Sequence, residues 1–333
     1  MAKSTSRRSV LSAGLALGCA AWLAPSRPVA AQGAAPAVGH GDMARVDGAT
    51  YATLALAHAA VSPGGVIEIL PGTHVGAKVA AVISKPITVR GVLDRSGIKP
   101  TLDLGMATVE KAILNPSGTS FVVERLTIVG ATTGSPTGNA AGLRPEPRCL
   151  SMISRFVDFI GCQNGVLTPT RSPGAVYLFE DCAFIGCGNS GYAHGCYIGQ
   201  PQRVTFRRTT SRDCVGGHDF KSRALETYFE DSQAIQSRSA SRALDLSNGG
   251  ILKATGSRFF KPASSVMAEL IGLKAETQHG SERPESYLFE NCVLDNQRRD
   301  GTVINNRSPV AAIVRGCTMP GQRRMVGAVT VER

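Results

Sequence analysis

The chain has 333 residues, 43% of them hydrophobic and 18% charged, with 37 Gly, 18 Pro and a formal net charge of +11. That composition is too apolar and too weakly charged per residue for a disordered chain. Its length permits two domains, but an elongated repeat fold takes up as many residues in one.

The first predicted element is a leader. Ser6-Arg7-Arg8-Ser9-Val10-Leu11 places twin arginines ahead of an apolar stretch reaching about Leu23, and Val29-Ala30-Ala31 follows. This reads as a twin-arginine signal peptide over residues 1–31, and it implies a periplasmic or secreted protein. The rival reading is an uncleaved anchor, but a run of about 14 residues falls short of the ~20 that span a bilayer. No later segment is apolar enough to cross a membrane. Removal of the leader takes away Lys3, Arg7, Arg8 and Arg27 and lowers the net charge from +11 to +7. A mildly basic exported protein suits polyanionic partners such as acidic polysaccharide. No Lys/Arg run is interleaved with aromatics, so nucleic acid is not expected as a partner. A flexible linker is expected over 32–48 and a single domain over 49–333, as a monomer.

Thr53 to Ala60 has the pattern of a short amphipathic helix. It leads into Pro63-Gly64-Gly65-Val66-Ile67-Glu68-Ile69-Leu70-Pro71-Gly72-Thr73-His74 and then Lys85-Pro86-Ile87-Thr88-Val89-Arg90-Gly91. Beyond this opening, short β-rich strings recur, such as Phe179-Glu180-Asp181-Cys182, Phe229-Glu230-Asp231-Ser232 and Phe289-Glu290-Asn291-Cys292. Aligning their fourth positions gives a column of Leu126, Val157, Cys182, Thr209, Ser232, Ser257, Cys292 and Cys317. The steps are 31, 25, 27, 23, 25, 35 and 25 residues. A period of this size signals a solenoid. Within each repeat, apolar residues alternate over a few positions before Gly, Asn, Asp or Pro intervenes, which means strands and turns with no room for a long helix. Each strand then pairs with its equivalent one coil away, ~4.8 Å distant, and equivalent side chains stack.

In the opening stretch and in the repeat, the chain resembles the right-handed parallel β-helix proteins of the pectate-lyase type. "Gly-x-x-Ile-x-Ile-x-Pro-Gly-x-Tyr" followed by "Lys-Pro-Ile-x-Ile-x-Gly" is the first coil of such proteins, with His74 here in place of Tyr. The resemblance covers about residues 45–320. It implies an all-β, right-handed, single-stranded parallel β-helix of about nine coils, with a short N-terminal capping helix around Tyr51–Ala60. It leaves the reaction open, because the same scaffold carries lyases, hydrolases, epimerases, esterases and tailspikes.

Eight cysteines follow the leader. Cys162 and Cys187 are 25 apart, as are Cys292 and Cys317, the spacing of neighbours in a ladder. No Cys or His spacing suggests zinc. Proteins exported by the twin-arginine route fold in a reducing compartment, so buried free thiols are favoured over disulfides.

One region departs from the plain repeat. Residues 191–199 read Gly-Tyr-Ala-His-Gly-Cys-Tyr-Ile-Gly, and 216–224 read Gly-Gly-His-Asp-Phe-Lys-Ser-Arg-Ala. His194 and His218 are 24 apart, as are Tyr197 and Lys221, and the next coil supplies Asp245 and Asn248. Two adjacent columns are expected: His194, His218, Asp245 and Tyr197, Lys221, Asn248. Arg223 shares the face of Lys221. The bland alternative is a turn-stabilising hydrogen-bond ladder. Stacked cations, however, make sense around a bound anion. The three strings are also similar to a pattern in exported proteobacterial β-helix proteins, which strengthens the site without naming a reaction.

Uronate β-elimination needs a group to neutralise the C6 carboxylate, a base for the C5 proton and an acid at O4. Arg223 or Asn248 fits the first, His218 or Lys221 the second, and Tyr197 or His194 the third. C5 epimerisation shares the same chemistry without elimination. Glycoside hydrolysis wants a pair of carboxylates, and Asp213, Asp219 and Asp245 form no paired Asp-Asp motif. A calcium site wants clustered acids, so no metal and no cofactor is expected. Glu276 follows a 35-residue step that leaves its register open. Arg171, or Arg144 from the 131–148 insertion, is placed on the groove wall. Trp22, the one tryptophan, lies in the leader, and a site without Trp suits a charged sugar better than a neutral one. The reading therefore leans to a metal-independent lyase on an acidic, uronate-containing polysaccharide. A uronate epimerase and a non-catalytic polysaccharide-binding or export protein are the alternatives.

Overall fold

The computed structural model describes residues 41–189, 191–276 and 283–332. The leader expected over 1–31 lies outside the described residues. Three parallel sheets wind around one core. The first runs from Val66–Ile69 to Val329–Glu332, the second from Thr73–Val75 to Val293–Asn296, and the third from Ala81–Ile83 to Met325–Val326. Successive strands of the chain visit the three sheets in turn, and the nine strands of the second sheet count the complete coils. The chain is a right-handed parallel β-helix.

The recurring Phe-Glu-Asp/Asn-Cys/Ser string builds one corner. Phe179 points inward, Glu180 outward, and Asp181 takes a left-handed conformation (φ 52°) that turns the chain toward the second sheet. Arg125, Phe156, Arg208, Asp231 and Asn291 do the same at equivalent places. The residue after each corner points inward and closes a ladder. The Thr209 and Ser232 backbone N–H groups donate to the hydroxyls of Ser232 and Ser257, both at 3.1 Å. The Cys292 N–H donates to Cys317 Sγ at 3.3 Å. A small side chain there satisfies buried backbone that a larger one would block. Ile160 and Ile185 pair in register two residues before Cys162 and Cys187, so both cysteine pairs fall where their spacing puts them. Inside, Phe179, Phe206 and Phe229 stack at 5.3 and 4.9 Å between ring centres.

The outer face of the first sheet carries a second ladder, of charge. In register lie Arg45, Glu68, Arg90, Glu124, Arg155, Glu180, Arg207, Glu230, Thr255, Glu290, Arg315 and Glu332. Sign alternates at every step except at Thr255. Ion pairs such as Arg155–Glu180 (3.0 Å) and Arg207–Glu230 (2.6 Å) link adjacent coils.

The helix Leu54–Ala60 packs Leu54 and Ala57 into the N-terminal end, with Thr53 Oγ1 accepting from the Leu56 N–H. Lys85 Nζ gathers the carbonyls of His58, Ala59 and Val61 at 2.8, 2.9 and 2.6 Å, holding the helix end against the first coil. One boundary is corrected. The linker expected over 32–48 stops short, because Ala44–Val46 and Ala49–Tyr51 form antiparallel strands and Ala44 pairs with Ile69. Met43 and Ala44 are fully buried, which a linker would not be.

Candidate functional site

The polar cluster lies on the outer face of the third sheet. Strands Cys196–Ile198, Phe220–Ser222, Leu244–Leu246 and Glu269–Leu273 pair in sequence. Cys196, Phe220, Leu244 and Ile271 fill the core, so their successors Tyr197, Lys221, Asp245 and Gly272 form the outward column. The expected register was off by three residues in the third coil. Asp245 lies beside Lys221, not beneath His218, and Asn248 lies past the strand in the turn before Gly249 and Gly250.

A parallel column runs three residues earlier: Asn164, His194, His218 and Arg242. Asn164 Oδ1 accepts the His194 N–H at 2.9 Å. His194 Nδ1 accepts the His218 N–H, and His218 Nδ1 the Arg242 N–H, both at 3.1 Å. The two imidazoles stack 5.0 Å apart and 3° from parallel. Burial first, then the repulsion that two protonated rings would feel and the charge of Lys221, hold His194 well below the usual imidazole range. Burial, Lys221 and Arg242 do the same for His218. Both rings are therefore neutral, with Nδ1 engaged and the proton on Nε2. The turn-stabilising ladder is thus present, and His218 offers no lone pair for the base role assigned to it from sequence.

Asp245 is fully buried, and its neighbours account for that. Oδ1 accepts from Arg242 Nη1 at 2.8 Å and Oδ2 from Ser247 Oγ at 2.6 Å. His218 Nε2 and Lys221 Nζ stand 3.6 and 3.7 Å from Oδ2. Arg242 also reaches Glu269 at 2.5 Å. Its side chain lies across Gly272, where a Cβ would come within 2.9 Å of Arg242 Cδ and Nε, so a larger residue there would push the guanidinium aside.

Glu276 resolves the open register. Its carboxylate bridges the cations, with Oε1 2.5 Å from Lys221 Nζ and Oε2 bound by Arg223 Nη2. Both cations lean over the ring of Tyr197, at 5.7 and 5.6 Å from its centre. Burial raises the Tyr197 phenol above its ordinary value. The stacked cations meet protein carboxylates, with Lys221, Arg223 and Arg242 matched by Asp245, Glu269 and Glu276. Among the described residues no group of carboxylates, histidines or cysteines is arranged to hold a metal ion.

Three buried polar atoms in this region have no hydrogen-bond partner among the described residues: Arg223 Nε and both Nδ2 and Oδ1 of Asn248. Asn248 is 7% exposed. Arg144 precedes Tyr197 by two coils in the same outward column. Arg171 is exposed near the strand end at Ser172, which pairs with Pro201. Asp219 belongs elsewhere: it points inward, accepts from Ser211 and Gln236, and burial pushes it up to about 6. Asp213 pairs with Arg212 at the surface. A groove of about 730 Å³ opens on the same face at the N-terminal coils, beside Val82, Lys111, Asn115 and Glu146, and no member of the cluster lines it. Sequence reasoning missed Arg242, Ser247 and Glu269. Arg242 had a signal, since it follows His218 by the same 24 residues that separate His218 from His194.

No protein-family model matches the chain, and no curated protein matches it. Solved structures do. The pectin methylesterase PemA from Erwinia chrysanthemi is 16% identical, with 84% of this chain and 90% of that chain covered and a TM-score of 0.47. A pectin methylesterase mutant in complex with a hexasaccharide is 13% identical over the same shares, with a TM-score of 0.44. A tailspike protein from the Acinetobacter baumannii bacteriophage Fri1, described as a capsular polysaccharide depolymerase, is 13% identical. There 80% of this chain and 57% of that chain are covered, with a TM-score of 0.42. Each likeness is one of fold.

Proposed function

We propose that this protein acts on an acidic, uronate-containing polysaccharide and cleaves it by metal-independent β-elimination on the outer face of the third sheet. One observation carries the reading: Lys221 and Arg223 converge on a single carboxylate above the ring of Tyr197. An ammonium and a guanidinium held this way neutralise a C6 carboxylate, and they stabilise the extra negative charge that develops as the C5 proton leaves. Of the three cluster carboxylates Glu276 is the most open, 35% exposed at its side chain against 25% for Glu269 and 0% for Asp245. It takes the C5 proton. The electron pair forms the C4–C5 double bond, the C4–O4 bond breaks, and the Tyr197 phenol gives its proton to O4. His194 and His218 act as neutral donors and as the ladder that holds the strands in place. Export through the twin-arginine leader and a monomeric state belong to the same reading.

The test is a panel of purified uronate polysaccharides, followed by the ultraviolet absorbance of the unsaturated product with and without a chelator. Chelation should leave the rate unchanged. No product from any member would sink the elimination. A second reading, a non-catalytic polysaccharide-binding protein, is favoured by the complete pairing of the cluster's charges. It expects binding to the panel without unsaturated product.

A further inference from the structure

The contact between Glu276 and its two cations has unequal sides. Lys221 and Arg223 are sunk into the face, 10% and 12% exposed at their side chains, whereas Glu276 lies over them at 35%. The cations stand two residues apart on one coil, with Ser222 between them, braced by Tyr197 from the coil before. Glu276 arrives from two coils further on, where its own N–H bonds the Ser247 carbonyl at 2.9 Å.

A salt bridge that served only to fasten the coils would satisfy the groups it buries. This one does not. Glu276 engages the outer end of Arg223 and leaves Nε buried without a partner. Asn248 follows Ser247, whose N–H bonds the Ser222 carbonyl next to Arg223, and among the described residues both atoms of its side-chain amide are orphaned as well. At 7% exposure that amide lacks water as a substitute partner, and such a group is costly to leave unmade. Three unmet polar atoms beside a half-exposed carboxylate describe a seat that its present occupant fills in part.

We propose that Glu276 is an internal stand-in for a ligand carboxylate, and that Lys221, Arg223 and Asn248 together seat one uronate residue. The sugar carboxylate takes the place of the Glu276 side chain, one oxygen on the ammonium and one on the guanidinium. Its neighbouring hydroxyl and ring oxygens meet Arg223 Nε and the Asn248 amide, which offers one acceptor and two donors. A planar carboxylate matches the bridge that Glu276 already makes. The proposal takes only its sugar class from the polysaccharide reading above and does not need the elimination step. Glu276 then competes with every ligand, so its removal strengthens binding.

The experiment is calorimetric titration of the purified protein and of Glu276→Gln with the trisaccharides of galacturonate and of mannuronate, with maltotriose and inorganic sulfate as controls. Glu276→Gln should bind one of the uronate trisaccharides about tenfold more tightly than the unaltered protein, with the controls unmoved. Equal or weaker binding by a folded Glu276→Gln overturns the proposal. So does an equal gain for sulfate, or no binding of either trisaccharide to either protein. Should Glu276→Gln fail to fold, the Arg223 Nε–H resonance of the unaltered protein, identified by its loss in Arg223→Lys, must shift when the trisaccharide is added. No shift is again a refutation. The two readings fail separately. Tighter binding by Glu276→Gln, with no unsaturated product from the unaltered protein, keeps the seat and loses the lyase, and product from the unaltered protein without the gain does the reverse.

Discussion

His194 and His218 stack in parallel one coil apart, and each accepts at Nδ1 the backbone N–H of a residue in the coil that follows. The pair is a structural ladder with its outer nitrogens turned to the cluster. Both rings are held neutral, His194 by burial, by the repulsion a second protonated ring would add and by Lys221, His218 by burial, Lys221 and Arg242.

That arrangement sets a pH dependence. The unfolded chain takes up imidazole protons near pH 6.5, and the folded chain takes them up only well below that. The stability contributed is full above about pH 6.5 and is lost as the pH falls. His58 and His74 are also lowered, mainly by burial, so the comparison needs variants. Asn164 fills the same column and accepts an N–H through its amide oxygen, so His194→Asn and His218→Asn keep the rungs. Thermal melts between pH 7 and 5 should show a flatter fall for these variants than for the unaltered protein. Identical slopes would mean the rings are not held neutral.

Lys221 is expected to matter for turnover more than for stability. Asp245 keeps Arg242 and Ser247 when the ammonium is gone. Lys221→Met should lower the elimination rate by about 10²–10³-fold, the range for one electrostatic contact to a developing charge. Its melting temperature should move by only a few degrees. A variant that melts far lower yet keeps its activity per folded molecule would assign Lys221 to the scaffold.

Asp245 should behave in the opposite way. It is fully buried, and Arg242 depends on it. Asp245→Ala leaves a guanidinium partly buried with Glu269 as its remaining carboxylate, and breaking a buried pair costs about 3–5 kcal/mol. Urea unfolding measures the loss directly. A loss below about 1 kcal/mol would mean water already reaches the carboxylate.

The charge ladder has a gap that can be filled. Thr255 stands between Glu230 and Glu290 where alternation asks for a cation, and a cavity of about 460 Å³ opens beside it against Tyr228 and Lys253. Thr255→Arg should stabilise by about 0.2–1 kcal/mol, with the gain shrinking as salt is added. A gain that survives high salt would come from packing instead.

The sequence displayed its scaffold openly and its site less so. Phe179-Glu180-Asp181-Cys182 and its relatives encode inward, outward, corner and inward again. Each residue type fits its place for a local reason, so the coils and both cysteine pairs could be read directly. The site slipped because functional groups were matched instead of core positions. His-x-x-Tyr, His-x-x-Lys and Asp-x-x-Asn look like three copies of one string. The true third copy is Arg242-x-x-Asp245, which the apolar series Cys196, Phe220 and Leu244 marks at an even 24 residues. Glu276 was out of reach for a different reason: it comes from a coil of irregular length, where stacking no longer transmits position along the chain.

The alternating column on the first sheet also gives the solenoid a parity. Shifting one part of the stack by a single coil would set Arg against Arg and Glu against Glu, and like charges directly opposite one another repel. A shift of two coils restores the match. Gain or loss of repeats should therefore be tolerated in pairs on either side of Thr255, while an odd number is tolerated only where that uncharged residue interrupts the count.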